Sequence, residues 1–221
     1  MTSLFDRSKW VREIHLIGLG GIGSWVALWL LKLGVPEIHV YDDDVVEQHN
    51  TFFQLWANAD VGIHKVQALE EYARREGYAT KIIAHPVRVT EDGQLNLRGV
   101  VISGVDSMAS RYAIWKHLKF NGDVELYMDG RIGGEDFHLY TLNPSHPSQV
   151  KVYEAWLHPD DEATPDTCTE RDDFDSGVIL SGFILKNLTS FARGKRLAVI
   201  YHGDLSIVAG LGGAIPVVQI P

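Results

Sequence analysis

The run Gly18-Leu19-Gly20-Gly21-Ile22-Gly23 lies where a strand-like stretch, residues 13–17, gives way to an apolar stretch over 22–33. A strand that ends in a glycine turn and feeds a helix builds a phosphate cradle from backbone alone. Glycines let the chain turn tightly against a pyrophosphate, and the helix start offers free N–H groups and a positive dipole end. The G-x-G-x-x-G pattern alone fits NAD, FAD and ATP binders alike. Asp42 closes the next strand-like run at about the 20-residue distance where Rossmann-type units place the acid that binds a ribose hydroxyl. The run Asp42-Asp43-Asp44 also fits a solvated turn, and Asp44 suits holding a neighbouring side chain. Asp106 follows a fourth strand-like run, at the edge where such sheets bind ligands.

Strand and helix patterns alternate through the first half and supply the scaffold for these residues. After the helix over 22–33, Gly34-Val35-Pro36 is a helix stop. Strands are expected over 37–41, 81–87, 100–105 and 124–128, with helices over 65–76 and 109–119. That alternation predicts an α/β, Rossmann-like, doubly wound and mainly parallel sheet. In the second half, 136–142 and 150–157 read as strands without a helix between them, so an antiparallel C-terminal extension is expected. Residues 158–175 are polar, acidic and broken by Pro159 and Pro165, which reads as a mobile loop carrying Cys168. A helix over 176–192 and strands over 196–202 and 214–220 complete a single domain spanning 1–221. The segment Asp129-Gly130-Arg131-Ile132-Gly133-Gly134 reads as a plain turn or as flexible backbone that admits a slender acyl tail. Trp25 and Trp29, four apart on one helix, read as packing residues.

Composition removes several function classes. The chain has 221 residues, 45% apolar and 22% charged, ordinary values for a globular protein. No apolar run approaches the roughly 20 residues of a spanning helix, so no membrane partner is expected. The N-terminus lacks signal-peptide blocks, and with a single cysteine the expectation is a cytoplasmic protein without an internal disulfide. A net charge of −9 opposes nonspecific nucleic-acid binding. The histidines are scattered, without the spacing of a metal motif.

The residues after the glycine run sharpen the reading. The sequence resembles the superfamily of ThiF, MoeB and the E1 ubiquitin-activating enzymes. The resemblance rests on Gly18 to Gly23, then Asp42/Asp44/Val46/Asn50/Gln54, then Gly62-Ile63-His64-Lys65, then Asp106 with Arg111, in the family's order. It implies a substrate of ATP with Mg2+, and attack of a carboxylate on the α-phosphate to give an acyl-adenylate and pyrophosphate. It also implies roles. Gly18, Gly20, Gly21 and Gly23 shape the cradle, Lys65 contacts the phosphates, and Asp106 binds magnesium beside the leaving pyrophosphate. Asp42, Asp44, Asn50 and Gln54 line the nucleotide pocket, while Arg111 supports the Asp106 loop. Alone, Lys65 would read as the solvated first turn of a helix.

Three positions depart from the family pattern or stay open. Phe53 stands where the family has an arginine, so one phosphate-neutralising charge is missing. Arg7 is a candidate substitute, because relatives supply an N-terminal arginine from the partner subunit of a homodimer; a frayed terminus is the alternative. Cys168, in Thr167-Cys168-Thr169, resembles the cysteine that takes the acyl group as a thioester. Its acidic neighbours Asp166, Glu170 and Asp172 raise a thiol pKa, and a lone cysteine also fits an inert apolar role. The paired C-x-x-C motifs of zinc-bearing relatives are absent, so no zinc is expected. The expected acyl substrate is the C-terminal glycine of a ubiquitin-like or sulfur-carrier protein. The alternatives are a small carboxylate, a modified tRNA base, or a non-catalytic subunit, which Phe53 favours.

Overall fold

The computed structural model describes residues 10–133, 136–157 and 174–204. Five parallel strands form most of the sheet: β1 (Ile14–Ile17), β2 (Glu37–Tyr41), β3 (Lys81–His85), β4 (Gly99–Ser103) and β5 (Val124–Gly133). β6 (Asp136–Leu142) and β7 (Ile200–Asp204) add antiparallel, giving the order β3-β2-β1-β4-β5-β6-β7. The sheet order reverses beside β1, with β2 on one side and β4 on the other. The crevice at this switch point is where open α/β sheets bind ligands. The expected mainly parallel sheet with an antiparallel extension is the observed architecture.

Helices cover both faces. On one face α1 (Gly23–Leu33), α2 (Lys65–Arg75) and α5 (Phe174–Ala192) bury Leu30, Leu69 and Ile184 against Leu16, Val40 and Met128. On the other, α3 (Met108–Leu118) and α4 (Pro147–Glu154) bury Ile114, Leu118, Val150 and Tyr153 against Val101 and Tyr127. Trp29 crosses the first layer and donates its indole N–H to Ser181 Oγ at 2.9 Å, tying α1 to α5.

Five expectations are corrected or bounded. Residues 150–157 are not a strand: Val150-Lys151-Val152 alternates, but the residues that reach the core are Val150, Tyr153 and Leu157, three or four apart. Pro147 at the helix start, where its missing N–H costs nothing, begins α4 instead. The segment at Asp129–Gly133 is not a turn, because β5 runs through it and pairs with β6 from Tyr127↔Leu142 to Gly133↔Asp136. The strand expected over 196–202 starts only at Ile200. The strand expected over 214–220 and residues 158–173 of the loop expected over 158–175 lie outside the described residues, and α5 already begins at Phe174. Among the described residues, no helix is long and apolar enough to cross a membrane.

No helix lies between β3 and β4, and imidazoles line the neighbouring sheet face. His15, His39 and His85 stack across β1, β2 and β3, with ring centroids 4.7 and 5.5 Å apart. Burial, and then the neighbouring His39, push the pKa of His15 down to about 4, with Glu13 opposing. Burial does the same for His138, stacked on His202. Both rings are neutral in the folded state, whereas an unfolded histidine titrates near 6.5. Between these values the unfolded chain binds more protons, so stability falls as pH drops from 6.5 to 4. His15→Gln, which keeps a polar group for the Tyr41 hydroxyl 3.1 Å away, is expected to spare about 2 kcal/mol of that loss at pH 4.5. Denaturant titrations at pH 7 and 4.5 measure it; equal acid sensitivity in both proteins would contradict the assignment to His15.

Candidate functional site

The glycine turn closes on itself through backbone. Gly18 has φ of +88° and donates its N–H to Tyr41 O at 2.8 Å, linking the ends of β1 and β2. Gly23, the first residue of α1, packs against Gly18: a Cβ there would lie 1.9 Å from Gly18 O. Cβ positions on Gly20 and Gly21 meet nothing within 4 Å, so the middle of the turn faces open space. The glycines thus divide the work, with Gly18 and Gly23 making the turn and Gly20 and Gly21 leaving room above it.

Asp42 holds this turn from β2. Its Oδ2 accepts the Leu19 N–H at 2.6 Å, and its Oδ1 accepts the Asp44 N–H at 2.9 Å. Asp42 is buried, while Asp43 and Asp44 are exposed, so the three are not one solvated run. Burial raises the pKa of Asp42 from its ordinary value, against the opposing pull of Lys65 and the two N–H groups.

The segment after β2 folds back on itself. Val45 forms an antiparallel bridge with His64, and Gly62 N–H bonds Val46 O at 2.8 Å. This bridge brings two segments 20 residues apart together at the start of α2. Lys65 is buried and donates through Nζ to Asp44 Oδ2 at 2.8 Å, which makes Asp44 the holder of a neighbouring side chain. Between them, Asn50 Oδ1 accepts the Glu47 N–H at 2.8 Å and Gln54 Oε1 accepts the Trp56 indole N–H at 2.8 Å. Phe53, in the family arginine's place, accepts the Trp25 indole N–H at its carbonyl, so Trp25 has a polar contact as well as a packing one.

Across the crevice, Asp106 follows β4 with an exposed carboxylate that makes no hydrogen bond or ion pair among the described residues. Ser107 caps α3, its Oγ accepting the Ser110 N–H at 3.1 Å, which fixes where Asp106 leaves the strand. Arg111 is buried beneath the same turn and donates Nη2 to Val105 O at 2.6 Å.

These elements enclose one cavity of about 320 Å3, within the size range of ligand pockets. Gly18, Gly20, Gly21, Asp42, Asp44, Asn50, Gln54, Lys65 and Asp106 all line it, and Gly23 stands behind it. Arg7 and Cys168 lie outside the described residues. Sequence reasoning missed Arg88 and Gly177, which share the lining, as does Ile132 from the segment read as a turn or an acyl-tail entry. Arg88 follows β3 at the same sheet edge as Asp106, and that position was its available signal. Its Nε pairs with both Asp43 oxygens at 3.2 Å. Gly177 arrives from α5, so close that a Cβ would lie 2.7 Å from Gly21 O, a contact with no local sequence signal. Four aspartates face the cavity with Lys65, Arg88 and Arg111, an arrangement suited to a phosphorylated ligand that brings a divalent cation.

Comparison with known proteins places this site in context. The ThiF family matches over residues 9–195. The chain is 30% identical over 154 residues to the adenylyltransferase and sulfurtransferase MOCS3 of Aedes aegypti, covering 62% of this chain and 35% of that protein. It is 30% identical over 128 residues to the tRNA threonylcarbamoyladenosine dehydratase of Escherichia coli, covering 56% and 47%. The chain therefore spans half or less of the length of these curated relatives. Among solved structures, E. coli MccB with ATP superposes with a TM-score of 0.68 at 13% identity, over 95% of this chain and 63% of that one. PaaA superposes with a TM-score of 0.67 at 16% identity, over 90% and 71%. The structural likenesses bear on the fold.

Proposed function

The chain belongs to the ThiF family, and from that premise we propose that it catalyses ATP-dependent adenylation of a carboxylate. The observation that carries the reading is the convergence of the glycine turn, Asp42, the Lys65–Asp44 pair and Asp106 on one cavity at the topological switch point. A carboxylate oxygen attacks the α-phosphorus of ATP, the α–β phosphoanhydride bond breaks, and pyrophosphate leaves with its electron pair. No proton moves. The protein's task is alignment and charge neutralisation.

In this reading the glycine turn at the positive end of α1 and Lys65 Nζ hold the phosphates, and Asp42 takes the ribose. Asp44 keeps Lys65 extended toward the cavity, at a short distance that leaves its other hydrogens free. Asn50 and Gln54 wall the pocket. Magnesium fits the donor set in that Asp106 offers an exposed carboxylate with no hydrogen bond or ion pair among the described residues. One or two carboxylates plus substrate phosphates are the usual magnesium ligands. When bound there, the ion would supply neutralisation of pyrophosphate charge.

We assign the C-terminal glycine of a ubiquitin-like or sulfur-carrier protein as the acyl substrate. The test is ATP–pyrophosphate exchange by the purified chain, with a small β-grasp protein ending in Gly-Gly or with small acids. Exchange that requires the protein is expected, and exchange driven by a small acid alone would overturn this assignment. The similarity to the tRNA dehydratase favours a second reading, in which the carboxylate is carried on a modified tRNA base. Exchange that starts only on addition of modified tRNA would select it.

A further inference from the structure

Beneath the Asp106 turn, three charged side chains meet out of water. Asp129 on β5 is 0% exposed. Its Oδ2 accepts Arg131 Nε at 2.8 Å and the Tyr153 hydroxyl at 3.0 Å, while its Oδ1 lies 3.4 Å from Arg111 Nε. One carboxylate thus faces two guanidiniums, leaving an excess of positive charge. An uncompensated buried charge is costly, so the location of the excess matters.

Arg131 is the more tightly held by Asp129, although its buried Nη2 has no hydrogen-bond partner among the described residues. It has the shorter contact with Asp129, donates Nη1 to Trp156 O at 2.7 Å, and lies 4.3 Å from the Tyr140 ring centroid. Arg111 has the long contact with Asp129, a backbone carbonyl and a 3.8 Å contact from Nη1 to Met108 Sδ, and it is the member of the cluster that lines the cavity. The guanidinium held less closely by Asp129 is therefore the one that an anionic ligand in the cavity would meet.

We propose that Arg131 and Asp129 are positioning residues for Arg111: Arg131 holds Asp129 close, so that Asp129 orients Arg111 without cancelling the charge it presents to the phosphates. The inference rests on the adenylation reading and gives the cavity a source for the charge lost at Phe53. Arg111 then does two things, holding the Val105 carbonyl before Asp106 and facing the bound anion.

The test is calorimetric titration of the full chain with ATP and, separately, with adenosine, thermal melting serving as the check on folding. Arg131→Gln frees Asp129 to close on Arg111, so ATP affinity should fall roughly fivefold or more, with adenosine affinity unchanged. Adding Asp129→Asn removes the neutralising carboxylate, and the double variant should regain ATP affinity. A purely structural role predicts the opposite, a double variant weaker than either single one, and that result overturns the proposal. If Arg131→Gln does not fold, Arg131→Lys decides. Retained ATP affinity supports the charge argument; equal losses for ATP and adenosine overturn it. Wild-type protein that ignores ATP would sink the adenylation reading and this inference together. ATP binding that none of the variants alters sinks only the inference.

Discussion

Gly23→Ala is expected to lower the thermal midpoint by roughly 10 °C or more and to abolish nucleotide binding with it. The added Cβ would lie 1.9 Å from Gly18 O, and that oxygen belongs to backbone rather than to a flexible side-chain end. Neither partner can yield cheaply. Gly18 is itself pressed against the β4–α3 turn, where its own Cβ position lies 2.9 Å from Gly104 O, and it bonds Tyr41 O. Moving α1 away instead would open the layer where Val26, Leu30 and Leu31 are buried. Gly20→Ala is the matched control. Its Cβ meets nothing within 4 Å, so the midpoint should hold within a few degrees. ATP affinity should still fall, because the methyl occupies the space above the turn. Differential scanning fluorimetry with and without ATP separates the two effects. A Gly23→Ala protein melting with the wild type would show that the turn tolerates what its geometry forbids.

The contrast between these two glycines shows what was legible in the sequence. The turn could be read because its chemistry is local: strand, glycines and helix start are contiguous, and Asp42 follows at a fixed distance. Spacing alone did not say which glycine packs and which leaves room, since that depends on where Gly18 O and Gly104 lie. The mainly parallel, doubly wound sheet followed from strand–helix alternation, which the sequence shows everywhere in the first half except between β3 and β4. α4 escaped because Val150-Lys151-Val152 carries a strand's alternation, and only tertiary burial shows that the period is helical. β5 escaped beyond Met128 for the reverse reason: its glycines and charged residues suit a turn, yet β6 pairs along its whole length. Asp129 and Arg131 were consequently seen as loop residues, although the strand buries Asp129 and directs it toward Arg111, 18 residues away in sequence. The contact of Gly177 with Gly21 is likewise a product of packing, invisible to any window of sequence.

Asp106→Ala is expected to lower ATP–pyrophosphate exchange by roughly three orders of magnitude while leaving the melting temperature unchanged. The two halves of this expectation come from the same fact. Asp106 is exposed and has no hydrogen-bond or ion-pair partner among the described residues, so its loss strands no buried group. An exposed carboxylate without a hydrogen bond or ion pair among the described residues, lining the cavity with Lys65 at the ligand-binding edge of the sheet, is placed for a cation that arrives with the ligand rather than for the fold. Lys65 differs, because its buried ammonium is joined to Asp44 and its removal would leave Asp44 without that partner. Loss of exchange in Asp106→Ala therefore isolates charge neutralisation in a way that a Lys65 variant cannot. Raising the magnesium concentration should restore part of the lost rate, since the phosphates retain their own affinity for the ion. Exchange that survives the substitution at wild-type rates would remove Asp106 from the site and, with it, the basis for placing the cation there.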